Sequence, residues 1–376
     1  MEKRKIPSLD AEVSLLGFGL MRLPVTGSDK SKVDYPKAQA MVEKAYKAGV
    51  NYFDTAYVYH EKQSEVFAGD TLSRYPRSSY YLATKMPTWD LVKSKDDAAR
   101  IFDEQLKKCK TTYFDFYLAH SLSSDRLDNL KNNIYSVLRK KKEEGLIRRL
   151  GFSFHDHPDV LKEIVKNYKW DFAQIQLNYL DWETADAKSL YETLTENKLP
   201  VVVMEPVKGG TLANLNEQTM AVLKKAAPSS SAASWALRFA ASLPNVMTVL
   251  SGMTEPPQVE DNLKTFTPFK PLSNADRKVL IEAAEVYRSS GTIPCTGCRY
   301  CMDCPSGVDI PRILAQYNHY LLIKNKVNFG NQYRTLSKAA QAHNCVNCGK
   351  CVKLCPQKID IPRHLKEVAD FAANNL

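Results

Sequence analysis

The sequence predicts an α/β chain: a closed (β/α)8 TIM barrel followed by a small, mainly α-helical domain. Three observations carry that prediction. Short apolar, β-branched runs alternate with longer helix-period segments through roughly the first 270 residues. There are eight such runs, and eight β/α units in about 250 residues match a closed barrel better than an open sheet. Eight of the nine cysteines crowd into residues 295–355, which marks a second domain.

The strands are expected at Leu15–Phe18, Asn51–Phe53, Tyr80–Thr84, Phe114–Ala119, Leu150–Phe152, Phe172–Leu177, Val201–Met204 and Val246–Leu250. Helices fall between them at Tyr35–Ala48, Ser64–Ser73, Asp96–Cys109, Leu127–Lys142, His157–Tyr168, Thr184–Glu196, Ser230–Ala241 and Pro257–Phe266. An open, doubly wound sheet would want Gly-x-Gly-x-x-Gly after an early strand. Here Gly17-Phe18-Gly19 runs into Leu20-Met21 instead. A further helix, Asn274–Ser289, leads to the cysteines. The expected domains are therefore a barrel over 1–272, a connecting helix over 273–292 and a cysteine-rich domain over 293–376.

Composition excludes several classes. Hydrophobic residues make up 44% and charged residues 25% of the 376, enough for a sizeable core and unlike a disordered chain. No run approaches the roughly 18 apolar residues of a membrane span, and the basic start Met1–Pro7 lacks the apolar block of a secretory signal. A cytoplasmic protein is expected, with no membrane partner. The net charge is +10. Its densest run, Arg139–Lys142, sits where a helix ends, suits the helix dipole and carries no interleaved aromatics, so nucleic acid is not an expected partner.

In a (β/α)8 barrel the chemistry sits at the C-terminal ends of the strands. Those ends carry Asp54, Lys85 and His120 on three consecutive strands, then Ser153, Asn178, Glu205 and Ser251-Gly252. The loop after Asp54 brings Tyr59 within reach of Lys85. An ammonium favours a phenolate, so Lys85 is expected to lower the pKa of Tyr59 from about 10, with Asp54 holding the lysine charged. His120 can bond a substrate oxygen or relay a proton. The four groups form a proton donor for an oxygen gaining negative charge, as carbonyl reduction requires. Trp89, Tyr179, Trp182 and Tyr57 neighbour the strand ends as candidate pocket walls.

Phe53-Asp54-Thr55-Ala56-x-x-Tyr59 with Ser64-Glu65, Ala83-Thr84-Lys85 and Asp115–His120 together resemble the motifs of the aldo-keto reductase family over roughly residues 10–266. The resemblance implies nicotinamide-dependent carbonyl reduction, with Tyr59 as general acid, Asp54 and Lys85 tuning it and His120 orienting the carbonyl. It also implies a cofactor site at Gly19, Met21, Ser153, Gln174, Met204, Glu205, Pro206, Ser251, Gly252, Met253 and Asn262. Ser153 and Gln174 resemble the carboxamide-holding residues, and Met204 stands where many members stack an aromatic ring. Gly252 and Gln258 stand where many members place basic residues against a 2′-phosphate, which weakens NADP(H) relative to NAD(H). Arg22 and Lys208 are the candidate substitutes. Gly209 and Gly210 suit either a backbone approach to the pyrophosphate or a plain turn.

The second cysteine run, Cys345-x-x-Cys348-x-x-Cys351-x-x-x-Cys355-Pro356, has the spacing of bacterial ferredoxins. The first, Cys295-x-x-Cys298-x-x-Cys301-x-x-Cys304-Pro305, is one residue shorter. Both lead into Asp-Ile-Pro, which suggests a duplicated half-domain, similar to an α-helical ferredoxin. Two [4Fe-4S] clusters with crossed ligation are expected: Cys295, Cys298, Cys301 and Cys355 on one, and Cys345, Cys348, Cys351 and Cys304 on the other. Zinc is the alternative. Clusters of about −2 each would bring the charge to about +6. Cys109, alone in a helix, reads as a buried structural thiol. Two functions follow: a reductase acting on a small carbonyl or alcohol, or an electron-transfer or redox-sensing module whose barrel binds nucleotide without turnover. The intact Asp54, Tyr59, Lys85, His120 set favours the first. A partner electron-transfer protein fits either, and no flavin motif is present to couple two-electron to one-electron chemistry.

Overall fold

The computed structural model describes residues 1–182 and 186–375. An N-terminal hairpin precedes the barrel: β1 (Lys3–Ile6) pairs antiparallel with β2 (Ala11–Ser14). This hairpin is an addition to the expected elements. Its residues alternate in exposure, with charged Lys3, Lys5 and Glu12 turned outward and Val13 fully buried. Leu9 and Val13 join a core of Tyr52, Phe116, Leu118, Phe172 and Met247 inside the barrel. Arg149 donates to the carbonyls of Leu9 and Asp10, both at 2.6 Å. Arg4 likewise binds the carbonyls of Ala241, Leu243 and Val246. Leu9, Val13 and these two arginines thereby tie the hairpin to the barrel core.

The barrel strands are β3 (Leu16–Gly19), β4 (Tyr52–Asp54), β5 (Tyr81–Pro87), β6 (Phe114–Leu122), β7 (Ile147–Phe154), β8 (Phe172–Gln176), β9 (Val201–Met204) and β10 (Val246–Gly252). All neighbours are parallel, and β10 pairs with β3 to close the ring. Each overlaps an expected strand. Apolar-rich runs such as Phe114–Ala119, interrupted only by Asp115, form strands buried on both faces, as a barrel inside a helical ring demands. The helices begin on local caps: Asp34 accepts from the Lys37 N–H to start Tyr35–Lys47, and Ser94 from Asp97 to start Lys95–Lys108. The expected helix from Leu127 contains a π-helical segment, Leu130–Ile134, before Tyr135–Glu143. The expected helix start at Thr184 lies outside the described residues, and the helix there is described from Ala187 to Glu196.

The chain forms two compact units: Met1–Pro206 with Ala233–Ser273, and Val207–Ala232 with Asn274–Leu376. The second unit is helical. Helix Glu217–Ala226 packs on Asn274–Arg288, and the helices Ile310–Ile323, Lys326–Tyr333 and Ile361–Asn375 surround a core of Val308, Ile313, Phe329, Leu365 and Val368. Both Asp-Ile-Pro turns start helices, with proline in the first turn where its missing N–H costs nothing. Among the described residues no helix is long and apolar enough to cross a membrane.

Candidate functional site

The parallel register sets Asp54 beside Gly19 and Ala83, Lys85 beside Leu118 and His120 beside Pro87. Lys85 is fully buried. Its Nζ donates to Asp54 Oδ1 at 2.5 Å and to the Thr55 carbonyl at 2.7 Å. The ammonium lies 4.9 Å from the centre of the Tyr59 ring. The rings of Tyr59 and His120 meet edge to face at 5.7 Å, and Trp89 lies 5.4 Å from His120. The structure thus brings Asp54, Tyr59, Lys85 and His120 together.

Tyr59 is held by a strained loop. His60, Glu61 and Lys62 follow it with three consecutive positive φ angles, at 50°, 50° and 72°. A left-handed turn of non-glycine residues costs roughly 1–2 kcal/mol per residue. His60 helps hold it: its Nε2 accepts from the Leu23 N–H at 3.1 Å, and its Nδ1 lies 2.9 Å from the Lys30 carbonyl. Ser64 Oγ donates to the Leu20 carbonyl at 3.0 Å and shares a hydrogen bond with Thr55 Oγ1 at 2.7 Å.

Behind Lys85 lies a buried polar network that strand-end reasoning missed. Glu65 accepts from Thr84 Oγ1 at 2.6 Å and from Gln105 Nε2 at 2.5 Å. Gln105 also donates to the Lys85 carbonyl at 3.1 Å and accepts from Tyr117. Burial pushes the Glu65 carboxyl up to about 6 despite these donors. Its signal in the sequence was the Glu of Ser64-Glu65, the second residue of the helix Ser64–Leu72 that begins beside the Tyr59 loop.

The electrostatics correct one expectation. The Tyr59 hydroxyl lies well above 10, not below it, because burial and the Asp54 and Glu205 carboxylates outweigh the one lowering charge, Arg22. Lys85 spends its charge on Asp54. Burial holds Lys85 below and Asp54 above their ordinary values, and each charge restrains the other's shift. His120 lies well below 6.5 because it is buried and faces Lys85, His155 and Arg126, so its ring is neutral near pH 7.

The remaining strand ends carry the expected cofactor residues. Ser153 Oγ accepts the Ser121 N–H at 2.6 Å. Gln174 Nε2 donates to Met204 Sδ at 3.4 Å, while its Oε1 is buried and has no partner among the described residues. Glu205, at φ 55°, faces Arg22 at 3.6 Å, and its carbonyl accepts from Asn178 at 3.2 Å. Pro206 ends the first stretch of the barrel unit. Gly19 lies against the Ser251 backbone, and Met21 is half-buried just beyond it. Met253 is buried, and Asn262 Nδ2 donates to Ser251 Oγ at 2.9 Å. Arg22 lies across Gly252, where a Cβ would meet its side chain at 3.3 Å. Gln258 Oε1 accepts from the Thr254 and Glu255 N–H groups, capping helix Pro256–Thr265. Of the four candidate wall aromatics, Trp89 reaches the site. Tyr57 instead donates to Glu104, while Tyr179 and Trp182 pack against Phe239.

Gly209 and Gly210 belong to the second unit. Gly209, at φ +65°, faces the Thr296 backbone, whose carbonyl oxygen would lie 2.2 Å from an added Cβ. The close approach at this glycine is therefore made by the loop that follows Cys295. Gly210, at φ +98°, is a turn position with open space around it. Lys208 donates to Gln357 at 3.1 Å.

The cysteines gather as the spacing predicts. One cavity is lined by Cys295, Cys298, Cys301 and Cys355, and the other by Cys304, Cys345, Cys348 and Cys351. In each, three cysteines come from one run and the fourth from the other. The same grouping shows in the charges: Cys301, pushed up to about 12 mainly by burial, also feels Cys298, Cys295 and Cys355. Cys351, pushed up to about 11, feels Cys345, Cys348 and Cys304. Four mutually repelling thiols around one cavity suit a cationic core. Among the described residues, no three Cys, His, Asp or Glu side chains form a group that could hold a single metal ion. The runs repeat in backbone as well. Gly297 and Asn347, then Arg299 and Gly349, have positive φ at matching offsets. The shorter first run fits because a 3-10 turn, Tyr300–Met302, replaces the α-turn Lys350–Leu354. Cys109 is buried at the end of helix Lys95–Lys108.

Known proteins share the barrel, and a separate family model matches the cysteine-rich part. The model of the aldo/keto reductase family matches residues 15–282, and that of a 4Fe-4S dicluster domain matches residues 294–359. An uncharacterized oxidoreductase, YqkF, of Bacillus subtilis is 27% identical over 70% of this chain and 90% of its own length. L-galactose dehydrogenase of Arabidopsis thaliana is 26% identical over 76% of this chain and 94% of its own. The holo form of aldo-keto reductase AKR11C1 from Bacillus halodurans superposes with a TM-score of 0.63 at 27% identity, covering 75% of this chain and 96% of that one. A barrel with charged strand ends, followed by paired cysteine runs, thus has a family: the chain is an oxidoreductase of the aldo/keto reductase family that carries a C-terminal 4Fe-4S dicluster domain.

Proposed function

We propose that the chain interconverts a small-molecule carbonyl and its alcohol by hydride exchange with NAD(H), with Tyr59 as general acid/base, and that its cysteines hold two [4Fe-4S] clusters. The observation that carries the first part is the Asp54–Lys85–Tyr59–His120 group. A buried ammonium is fixed by two oxygens, and a protonated phenol and a neutral imidazole lie beside it.

The residues fit a nicotinamide. Gln174 Oε1 is a buried acceptor without a donor, and a carboxamide N–H satisfies it. Ser153 Oγ already accepts from Ser121, which leaves its own proton to donate to the carboxamide oxygen. When bound, the reduced nicotinamide supplies the hydride. Tyr59 holds its proton at neutral pH and gives it to the substrate oxygen as negative charge develops there. Neutral His120 offers an N–H to the same oxygen, and Trp89 walls that side. Lys85 and Asp54 set the field around the hydroxyl without leaving their pair.

NAD(H) is preferred because the positions facing a 2′-phosphate offer no uncommitted cation. Position 252 is glycine, Gln258 caps its own helix, and Arg22 turns to Glu205. The clusters supply one-electron chemistry when bound. Cys295, Cys298, Cys301 and Cys355 hold one, and Cys304, Cys345, Cys348 and Cys351 the other. On this reading 1–272 carries the hydride chemistry, 273–292 connects and 293–376 carries the clusters, in a cytoplasm that keeps thiols reduced.

Tyr59→Phe tests the assignment. Turnover with NADH should fall by about 10²–10⁴-fold while NADH affinity stays within about twofold. Turnover equal to wild type would overturn it. NADH should bind more tightly than NADPH, and the opposite order would overturn the cofactor reading.

A further inference from the structure

The two cysteine cavities differ in their access to solvent. Cys301 and Cys355 are buried, and Cys295 and Cys298 are half-buried. The basic residue there, Arg299, faces Asp309 at 3.8 Å. In the other cavity Cys348 is exposed, and Val346, which lines it, is 68% exposed. An exposed β-branched residue beside the exposed Cys348 is an apolar spot where the proposed redox centre is most open to solvent among the described cysteines.

Charge singles out the same place. Residues 310–359 contain no aspartate or glutamate across 50 positions, but eight lysines and arginines. Four exposed basic residues of that stretch, Lys338, His343, Lys350 and Lys353, flank Val346-Asn347-Cys348. The Lys338 carbonyl accepts from Asn344 at 2.6 Å, which ties that lysine to the start of the second run. Lys350 lies close enough to feel both Cys348 and Cys304 and pairs with Asp303 at 2.8 Å. Among the described residues, neither Lys338 nor Lys353 pairs with a carboxylate. The aromatics of the stretch, Tyr317, Tyr320, Phe329 and Tyr333, stack on one another and on Phe371. They offer no stacking platform for bases, which disfavours nucleic acid as the occupant.

We propose that this face is the docking site of an acidic one-electron carrier protein, which exchanges electrons with the cluster held by Cys304, Cys345, Cys348 and Cys351. The proposal rests on the two-cluster reading and deepens it. An apolar centre inside a basic rim gives a small, transient interface whose charges steer encounter. In each exchange one electron leaves the carrier's reduced centre and enters the cluster, whose core passes from 2+ to 1+. No proton moves and no bond breaks, and the reverse transfer is the same step run backwards.

The test uses the full chain with clusters assembled. A plant-type [2Fe-2S] ferredoxin, an acidic carrier, is reduced with dithionite and mixed with it in a stopped-flow instrument. Bleaching of the cluster absorbance is followed at 50 and 500 mM salt. The rate constant should fall at least tenfold at the higher salt. The paired substitution Lys338→Glu with Lys353→Glu should lower it about tenfold at 50 mM salt, with iron content and NADH turnover unchanged. With iron at the wild-type level, a rate indifferent to salt and to the reversal would overturn the docking site. So would competition by duplex DNA, or a cationic carrier such as cytochrome c exchanging faster than the acidic one. A wild-type chain that binds no iron would instead show that the cluster reading itself has failed. If the reversed pair lost iron, the salt dependence of the wild type would decide.

Discussion

Asp54→Asn isolates the charge arrangement beneath Tyr59. The substitution keeps the side chain's shape and removes the negative charge 2.5 Å from Lys85 Nζ. The two side chains are 4% and 0% exposed, so water cannot replace the lost partner. Breaking a buried ion pair by removing one member costs about 3–5 kcal/mol. Lys85 keeps the Thr55 carbonyl at 2.7 Å, which places the expected loss near the lower end, about 3 kcal/mol. For a barrel of this size that corresponds to a drop of roughly 6–12 °C in Tm. The loss depends on pH in a defined direction. Without Asp54, burial is opposed only by the weaker pull of Glu65 and lowers the Lys85 pKa further, while in the unfolded chain the residue is an ordinary lysine near 10.4. The unfolded state then binds more protons, so the variant gains stability as pH rises toward 10. Urea unfolding followed by tryptophan fluorescence at pH 6 and pH 9 measures both effects, with the smaller deficit expected at pH 9. Adding Lys85→Met removes both charges and should return stability to within about 2 kcal/mol of wild type. Turnover should stay lost. A single-variant deficit below about 1 kcal/mol at both pH values would refute the buried-pair argument. Full activity in the double variant would refute its link to Tyr59.

Glu65 sits at about 6 against an ordinary 4.5, so the folded state binds more protons between those values and wild-type stability falls by about 2 kcal/mol as pH rises through them. Glu65→Gln keeps the shape and should erase that dependence in unfolding curves from pH 4.5 to 8. A variant curve parallel to wild type would show that Glu65 titrates normally. Crossed ligation predicts that Cys355→Ser shares its electron paramagnetic resonance spectrum with Cys298→Ser, and Cys304→Ser with Cys348→Ser. Each should lose about half of the iron, and matching by run instead of by cavity would disprove the crossing. Gly209→Ala places a Cβ 2.2 Å from the Thr296 carbonyl, so it should loosen the Cys295 loop and lower iron retention on dialysis. Gly210→Ala meets open space, carries only its φ penalty of about 1 kcal/mol and should retain iron.

Which features were legible follows from how far each depends on residues distant in sequence. The eight barrel strands were legible because each is a short run rich in apolar and β-branched residues, as burial on both faces favours. Asp54, Lys85 and His120 were legible because a closed parallel barrel places consecutive strand ends at one mouth. The hairpin β1–β2 was not, because Lys3, Arg4, Lys5 and Glu12 mask an alternation in which Val13 is the one strand residue fully buried in the apolar core. The direction of the Tyr59 shift was missed because it depends on burial and on Glu205, 146 positions away. Gly209 left two roles open because its close neighbour, Thr296, is 87 residues on. The crossed cysteine sets were legible because the runs follow the bacterial ferredoxin spacing, in which the fourth cysteine of each run serves the other site.

The proposed function joins two kinds of redox chemistry that exchange different numbers of electrons. A hydride moves two electrons at once between carbon atoms, whereas a cubane accepts one. Coupling them takes a group with a stable half-reduced state, and the sequence contains no flavin motif to hold one. Around Tyr59 the described residues offer a phenol, an imidazole, an ion pair and an indole, which move protons and place a carbonyl but store no electron. The Cys348 face opens to solvent, flanked by Lys350, which pairs with Asp303, and by Lys338 and Lys353, which pair with no carboxylate among the described residues. On these grounds we predict that the proposed hydride site and the proposed clusters work as separate devices. Anaerobic addition of NADH to the cluster-loaded protein should then leave the visible absorbance of the clusters unchanged over minutes, while dithionite bleaches it. Adding a turned-over carbonyl substrate should oxidise NADH without altering that absorbance. Bleaching by NADH alone would require a two-to-one-electron converter in the chain, and extraction of a bound flavin or quinone would be the next step.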